Sequence, residues 1–159
     1  LLYYECETGL NSDTTKFYMS GHSLTNNPGF SCDSLYMPFE PLPDGSSIPY
    51  QTVFSIPDNG EIIESLSVFL DIGHTYNGDL SIFLTHPNGI TVTLHAGQAL
   101  GLGGSQGFSA IFTDSAEESV QNSNSANSGP KGIFQPYESF APLIGLPVSG
   151  DWTLTVIDN

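Results

Sequence analysis

The chain of 159 residues is long enough to bury about 70% of its unfolded surface as one domain, so it needs neither a metal nor a disulfide merely to form a core. It holds two basic residues, Lys16 and Lys131, against 17 acidic ones, for a formal net charge of -15. Because nucleic-acid phosphates are bound by basic surfaces, this charge excludes a nucleic-acid partner. No run approaches the roughly 18 apolar residues of a spanning helix, so we expect no membrane span.

Two cysteines, Cys6 and Cys32, lie in the N-terminal third of a polar, lysine-poor chain. This composition is typical of exported proteins, and we expect the chain to be secreted, extracellular or at a cell surface. A Cys6–Cys32 disulfide would close a loop of about 25 residues and contribute about 3.5 kcal/mol. Two free thiols are the alternative. The opening letters, LLYYECETG, predict a piece of a longer precursor.

Residues 1–47 show no clean hydrophobic period. The stretch at 37–47, MPFEPLPDGSS, has the composition of a proline-stiffened linker. We therefore place a domain boundary near residue 47. It separates an irregular N-terminal extension, closed by the predicted disulfide, from a folded domain at 48–159.

From about residue 62 onward, apolar residues recur at every second position, which is typical of strands with one buried and one wet face. The apolar positions of five such strands are Leu66, Val68 and Leu70; Leu80, Ile82 and Leu84; Ile90, Val92 and Leu94; Phe108, Ala110 and Phe112; and Trp152, Leu154 and Val156. His95 falls on a polar side and is predicted to face solvent. Asn-Gly pairs at 59–60, 77–78 and 88–89 can supply the positive-φ residues of tight turns. The pattern predicts an all-β antiparallel sandwich.

The histidines do not form a recognisable catalytic or zinc pattern. Serine-protease chemistry needs a serine on a constrained turn, a histidine and a carboxylate, but GHS at 21–23 and GHT at 73–75 lack a glycine-rich context. His74, His86 and His95 are not spaced as zinc ligands, and His86 before Pro87 is predicted to be a turn residue. Glycoside hydrolysis by paired carboxylates is a weaker option. We predict a chain without catalytic residues.

Aspartates at predicted strand ends offer two interpretations. Asp58, Asp79, Asp114 and Asp158 each lie beside small or turn-forming residues. As turn residues, they would accept hydrogen bonds from backbone N–H groups two positions on. Alternatively, several of them converge at one end of the sandwich and bind calcium, which takes six to eight oxygen ligands. On that interpretation Asp58 and Asp158 are the first candidate ligands, followed by Asp79 and Asp114, and Asp151 is a weaker candidate.

Several segments together resemble the P domain, or homo B domain, that follows the catalytic domain of subtilisin-like proprotein convertases. The resemblance covers roughly residues 48–159. Its most specific part is an ordered set of motifs: His-Thr at 74–75, Gly-Asp-Leu at 78–80, a Pro and Gly turn at 87–89, and Gly-x-Trp-x-Leu-x-Val-x-Asp at 150–158. Any one of these motifs alone would be weak evidence of the resemblance.

The resemblance implies a jelly-roll-like β-sandwich of about eight strands that carries no catalytic residues of its own. It implies an accessory domain that supports the folding and stability of a secreted protease, with the subtilisin-like catalytic domain of the precursor as partner. Bacterial members often bind calcium, which makes calcium the expected cofactor. By the same resemblance His74 and Asp79 are structural, and Trp152 is a large buried anchor.

The chain departs from the family pattern at its C-terminus, where the pattern continues with a glycine-containing loop and one further strand. A sandwich without that strand would expose an unpaired edge. We expect the strand to come from residues 1–47, for instance 1–5, or from another copy of the chain. The alternative function is therefore a structural or adhesive extracellular subunit that assembles by strand addition. Carbohydrate binding by Tyr36, Tyr50 and Tyr76 would rest on fold analogy alone.

Overall fold

The structure is a computed structural model that describes residues 16–21, 32–36, 48–58, 60–74, 76–97, 108–122 and 131–159. Its strands are β1 (Lys16–Gly21), β2 (Cys32–Tyr36), β3 (Tyr50–Ile56), β4 (Leu66–Ile72), β5 (Leu80–Thr85), β6 (Thr91–Ala96), β7 (Phe108–Thr113), β8 (Lys131–Phe134) and β9 (Gly150–Asp158). The helices within these ranges are short 3₁₀ turns at Asn77–Asp79, Val120–Asn122 and Ala141–Leu143. The all-β prediction is confirmed. No helix in the described part is long and apolar enough to cross a membrane.

The strands form the two sheets of a sandwich. A five-stranded sheet has the order β2-β1-β4-β7-β8, and a four-stranded sheet has the order β3-β9-β5-β6. Neighbouring strands are antiparallel, as predicted, except for β7 and β8, which are parallel. A parallel pair needs a long crossover instead of a hairpin, and 17 residues separate the end of β7 from the start of β8 in the sequence.

Part of the N-terminal extension joins the sandwich. β1 pairs along β4 from Lys16↔Asp71 to Gly21↔Leu66, and β2 pairs with β1. Residues 1–47 therefore supply strands to the sheet, although residues 1–5 lie outside the described ranges. Cys6 also lies outside them, so its disulfide with Cys32 stays a prediction, as does the domain boundary near residue 47.

The core lies between the sheets and is built from the alternating apolar residues. In β4, Leu66 is 5% exposed while Val68 and Leu70 are fully buried, and the inward residues of β5 and β9 are equally enclosed. The predicted inward sets of these strands are confirmed. Each large aliphatic side chain buried in this way contributes about 1.5–3 kcal/mol relative to an exposed one.

Two of the three Asn-Gly pairs supply a glycine with positive φ, as predicted for tight turns. Gly60 and Gly89 have positive φ angles of 75° and 90°. The turn between β5 and β6 is closed by the Gly89 N–H, which donates to the His86 carbonyl oxygen at 2.8 Å. The turn prediction is wrong for Asn-Gly at 77–78, which forms a buried 3₁₀ helix. There the chain continues directly into β5 instead of reversing.

Trp152 is the largest fully buried side chain. Its Nε1–H donates to the Val148 carbonyl oxygen at 2.8 Å. The indole stacks on Phe54 with ring centroids 6.3 Å apart, and the His86 ring meets it edge-on at 4.7 Å. The tryptophan therefore contacts an edge strand, a hairpin turn and the segment that leads into its own strand.

Trp152→Ala is expected to lower the free energy of unfolding by about 3–5 kcal/mol, because it opens a cavity that the two sheets cannot close. It also leaves the Val148 carbonyl without its indole donor. Urea denaturation followed by circular dichroism measures the loss. Val53→Ala is the control: Val53 is 58% exposed on β3, and its truncation should cost less than about 1 kcal/mol. Equal losses in the two variants would contradict the anchoring role.

Candidate functional site

One end of the sandwich brings His74, Asp79 and Asp158 close together. Leu80, the first residue of β5, pairs with Asp158 near the end of β9, which places Asp79 beside that strand end. His74 Nε2 lies 3.5 Å from Asp158 Oδ2, and the Asp158 side chain is only 4% exposed. Asn159 closes this end, because its backbone N–H and its side-chain amide both donate to the Asp79 carbonyl oxygen, at 3.0 and 2.8 Å.

The contacts of His74 connect a loop to a strand. Its Nδ1 lies 3.1 Å from the Tyr76 backbone nitrogen and 2.9 Å from the Tyr76 carbonyl oxygen. When the proton is on Nε2, Nδ1 accepts from the Tyr76 N–H and Nε2 donates toward Asp158. The ring thus ties the loop after β4 to the last strand. This arrangement positions backbone segments, as predicted for a structural His74.

Asp58 and Asp114 lie elsewhere and bond to protein donors. Asp58 accepts from the Gly60 N–H at 3.0 Å, two residues on, as predicted for a turn aspartate. Its Oδ1 is also 3.4 Å from Ser149 Oγ. The Asp114 carboxylate accepts from the Phe140 N–H at 3.0 Å and from the hydroxyl of the preceding serine. These two carboxylates fasten loops.

The four predicted calcium ligands do not meet at one point. Asp58 is bonded near Ser149, just before β9 begins, whereas Asp158 is the last residue of β9, about 30 Å away at 3.3 Å per residue. Asp79 and Asp158 share one end of the sandwich, and the register places Asp58 and Asp114 toward the opposite end. Within the described ranges, no group of three or more His, Cys, Asp or Glu side chains could hold a metal ion. The four aspartates therefore do not fit one shared site, and calcium binding stays a prediction.

His95 is a buried histidine, so the prediction that it faces solvent is wrong. Its exposed fraction is 0%. The cause is a β-bulge between β5 and β6: Ile82 pairs with His95 but the next residue, Phe83, pairs with Thr93, which leaves Leu94 as an extra residue. An extra residue breaks the alternation of faces. His95 and Leu94 consequently are both buried.

The surroundings of His95 disfavour its charged form. Nδ1 lies 2.5 Å from the Leu80 carbonyl oxygen, to which it can donate, and the Gly97 nitrogen is 3.3 Å away. Burial lowers the pKa of His95 below its ordinary value of 6.5, because desolvation penalises the imidazolium. The bond to Leu80 opposes this shift only in part. This buried site therefore favours the neutral imidazole of His95.

His86 lies in a turn, as predicted, and is also buried, with 3% exposed. Its Nδ1 accepts from the Asn88 N–H at 3.1 Å, and its Nε2–H donates to the Pro147 carbonyl oxygen at 2.8 Å. These two bonds select the Nε2–H tautomer. His74, His86 and His95 thus each bond to backbone groups that shape a turn or a strand end.

The stability of the chain is expected to fall as the pH drops below about 6.5, because of His95. The folded-state pKa of His95 is lowered, so below this pH the unfolded state binds a proton that the folded state does not. Above about 6.5 both states are neutral and the effect vanishes. Glu138, whose pKa is lowered by hydrogen bonds from Thr93, stays ionised in both states down to about pH 5.5.

Urea denaturation between about pH 7.5 and pH 5.5 measures this dependence. His95→Gln, which retains a donor for the Leu80 carbonyl but does not titrate, should flatten the pH profile even if it lowers stability throughout. A His95→Gln profile as steep as that of the parent chain would contradict the assignment.

Comparison with known families identifies the fold. A family model for the proprotein convertase P-domain matches residues 63–159, which are 97 of the 159 residues. The match spans β4 to β9 and includes the His74–Asp158 end and Trp152. Neither the comparison with curated proteins nor the comparison with solved structures gave a match. Since the family model covers more than half of the chain, the chain belongs to the proprotein convertase P-domain family.

Proposed function

We propose that this chain is a non-catalytic accessory domain of a secreted subtilisin-like protease, and that it supports the folding and stability of the neighbouring catalytic domain. The observation that carries this proposal is the P-domain match over residues 63–159. In convertases this domain is an accessory to a subtilisin-like catalytic domain. The partner is therefore that catalytic domain within one precursor, and the location is the secretory pathway or the extracellular space.

The contacts within the domain suit a supporting role. His74 ties a loop to the end of β9, and His86 and Asp114 each tie a turn to a segment that is distant in sequence. A module held in this way presents a surface of fixed shape to its neighbour. A neighbour that binds only the folded form is stabilised by that contact, and stabilises the module in return.

Removal of residues 16–159, which include β1 and β2 of the sandwich, is expected to reduce the folded yield of the catalytic domain in the precursor and to lower its Tm by several degrees, the shift that a loss of about 2 kcal/mol produces. Trp152→Ala in the full precursor should have the same effect, because it destabilises the accessory domain from within. Val53→Ala should leave yield and Tm unchanged.

Differential scanning calorimetry of the secreted precursor gives the Tm of the catalytic domain, and immunoblotting gives the yield. A catalytic domain that folds and melts identically without residues 16–159 would refute the proposed function. Val53→Ala distinguishes loss of the module from a general effect of mutation.

We also propose that calcium stabilises the domain. The support is the excess of 17 acidic over two basic residues, together with the shared end of Asp79 and Asp158. A cation that binds only the folded state at about 100 times its dissociation constant would add about 2.7 kcal/mol. We expect the Tm in millimolar calcium to exceed the Tm in chelator.

Two matched variants test which end of β9 is responsible for the calcium-dependent shift in Tm. Asp79→Asn should shrink the calcium-dependent shift in Tm, whereas Asp151→Asn should preserve it. Asp151 lies at the opposite end of β9 and accepts a hydrogen bond from the Ser55 hydroxyl. Identical melting curves in calcium and in chelator would show that calcium does not stabilise the chain.

A further inference from the structure

Asn88 and Gly89 form an exposed Asn-Gly pair in the hairpin turn between β5 and β6. The Asn88 Oδ1 accepts a hydrogen bond from the Ile90 N–H at 3.0 Å. Such a bond to the residue two positions on closes a ring through the side chain and the backbone. Both the Asn88 Cγ carbon and the Gly89 nitrogen are members of that ring. The turn therefore holds a side-chain amide carbon and the following backbone nitrogen within one small ring.

These two atoms can react with each other, because proximity favours ring closure. The Gly89 nitrogen adds to the Asn88 Cγ, so that a new C–N bond forms. The Cγ–Nδ2 bond breaks, and the side-chain nitrogen leaves as ammonia with the proton that the Gly89 nitrogen gives up. The product is a succinimide ring. Water then opens the ring, which gives aspartate if the new bond breaks and isoaspartate if the original backbone bond to Gly89 breaks.

The hydrogen bonds of the turn act on this reaction in opposite directions. The Ile90 N–H donates to the oxygen on which negative charge develops when nitrogen adds to Cγ, and a donor already in place there lowers the barrier. The Gly89 N–H donates to the His86 carbonyl oxygen at 2.8 Å, and this bond must open before the nitrogen can attack. We therefore expect Asn88 to react in the folded chain, but more slowly than in the unfolded chain.

The Asn-Gly pair at 77–78 provides an internal comparison. Asn77 is 0% exposed, and Gly78 is buried beside it in a 3₁₀ helix. The Asn77 carbonyl oxygen also accepts from the Leu80 N–H. The succinimide needs water to open, and burial keeps water from this pair. The same dipeptide is thus enclosed at 77–78 and open to solvent at 88–89.

We propose that Asn88 is a modification site of the folded chain, where deamidation through a succinimide with Gly89 produces aspartate and isoaspartate, whereas burial protects Asn77. The reaction requires water alone and no partner enzyme. The proposal does not depend on the accessory-domain function.

Isoaspartate at position 88 would disturb the turn that holds His86. The Asn88 N–H donates to the His86 Nδ1 at 3.1 Å, and the Gly89 N–H donates to the His86 carbonyl oxygen. Isoaspartate lengthens the main chain between these two N–H groups by one atom, which displaces at least one of the two bonds. The His86 ring meets Trp152 edge-on at 4.7 Å. The modification therefore acts on the core through His86, and it should lower the Tm.

Peptide mapping of the intact chain tests the proposal after the folded protein has been incubated for several days at mildly alkaline pH. Cleavage before Asp71, Asp79 and Asp114 separates Asn77, in peptide 71–78, from Asn88, in peptide 79–113. Deamidation raises the mass of a peptide by about 1 Da. Peptide 79–113 should gain this mass at least about ten times faster than peptide 71–78, a difference in activation free energy of about 1.4 kcal/mol.

Incubation of the same chain in urea is the control for local sequence. Both peptides should then react, at similar rates, because each pair has glycine after asparagine. Equal rates in the folded chain would overturn the proposal, as would a peptide 79–113 that reacts in urea but not in the folded chain. A tenfold difference that persists in urea would overturn the protective role of burial.

Two variants test the consequence for stability, with the Tm measured before and after incubation. Asn88→Asp carries the carboxylate of the ordinary product on a normal backbone. Asp58 accepts from the Gly60 N–H in the same way, so the Tm of Asn88→Asp should stay close to that of the fresh parent chain. Asn88→Gln, which would have to close a larger ring, should keep its Tm through the incubation.

The incubated parent chain should melt several degrees below the fresh one. If it melts like fresh Asn88→Asp instead, isoaspartate does not act through His86 and this consequence is overturned. An equal loss of Tm in incubated Asn88→Gln would place the damage elsewhere in the chain and overturn it as well.

Discussion

The burial of Trp152 is the constraint on which the arrangement of the sandwich depends. β9 is hydrogen-bonded to β3 on one side and to β5 on the other, and the indole packs beneath it in the core. Gly150, two residues earlier, has φ of 116°, and a Cβ there would lie 2.7 Å from the Pro87 Cβ. Glycine is thus required for the 86–89 turn to approach the start of β9. The Trp152 ring and the absence of a Cβ at Gly150 together position the 86–89 turn, β9 and the edge strand β3.

Strand faces were predictable because their alternation is a local property. The inward residues of β4, β5 and β9 follow from a period of two that each strand carries in its own sequence. The face of His95 was not predictable in this way. The bulge that buries it is defined by how β6 registers against β5, and register between strands depends on partners that a single strand does not specify.

The same distinction between local patterns and contacts across the fold explains which hydrogen bonds of the aspartates the sequence predicts. The bond from the Gly60 N–H to Asp58 spans two residues, so turn chemistry predicts it. Asp114 instead accepts a hydrogen bond from the backbone N–H of Phe140, 26 positions away in sequence. No local sequence pattern predicts a partner so far along the chain. Whether carboxylates converge is likewise a question of strand order. Asp79 and Asp158 meet because β5 lies beside β9, while Asp58 is separated from them by the length of β9.

The distribution of charge gives the sandwich two kinds of surface. The described strands contain no glutamate, and their acidic residues are Asp33, Asp71, Asp151 and Asp158. The other acidic residues of the described ranges lie outside the strands, and most of them are exposed to water, which screens their mutual repulsion. The middle of the outer face of the four-stranded sheet thereby carries uncharged side chains, among them Val53, Thr153 and Thr155. A strongly acidic chain can in this way keep a sheet face that another protein surface can approach, because most of the carboxylates in the described ranges lie outside the strands.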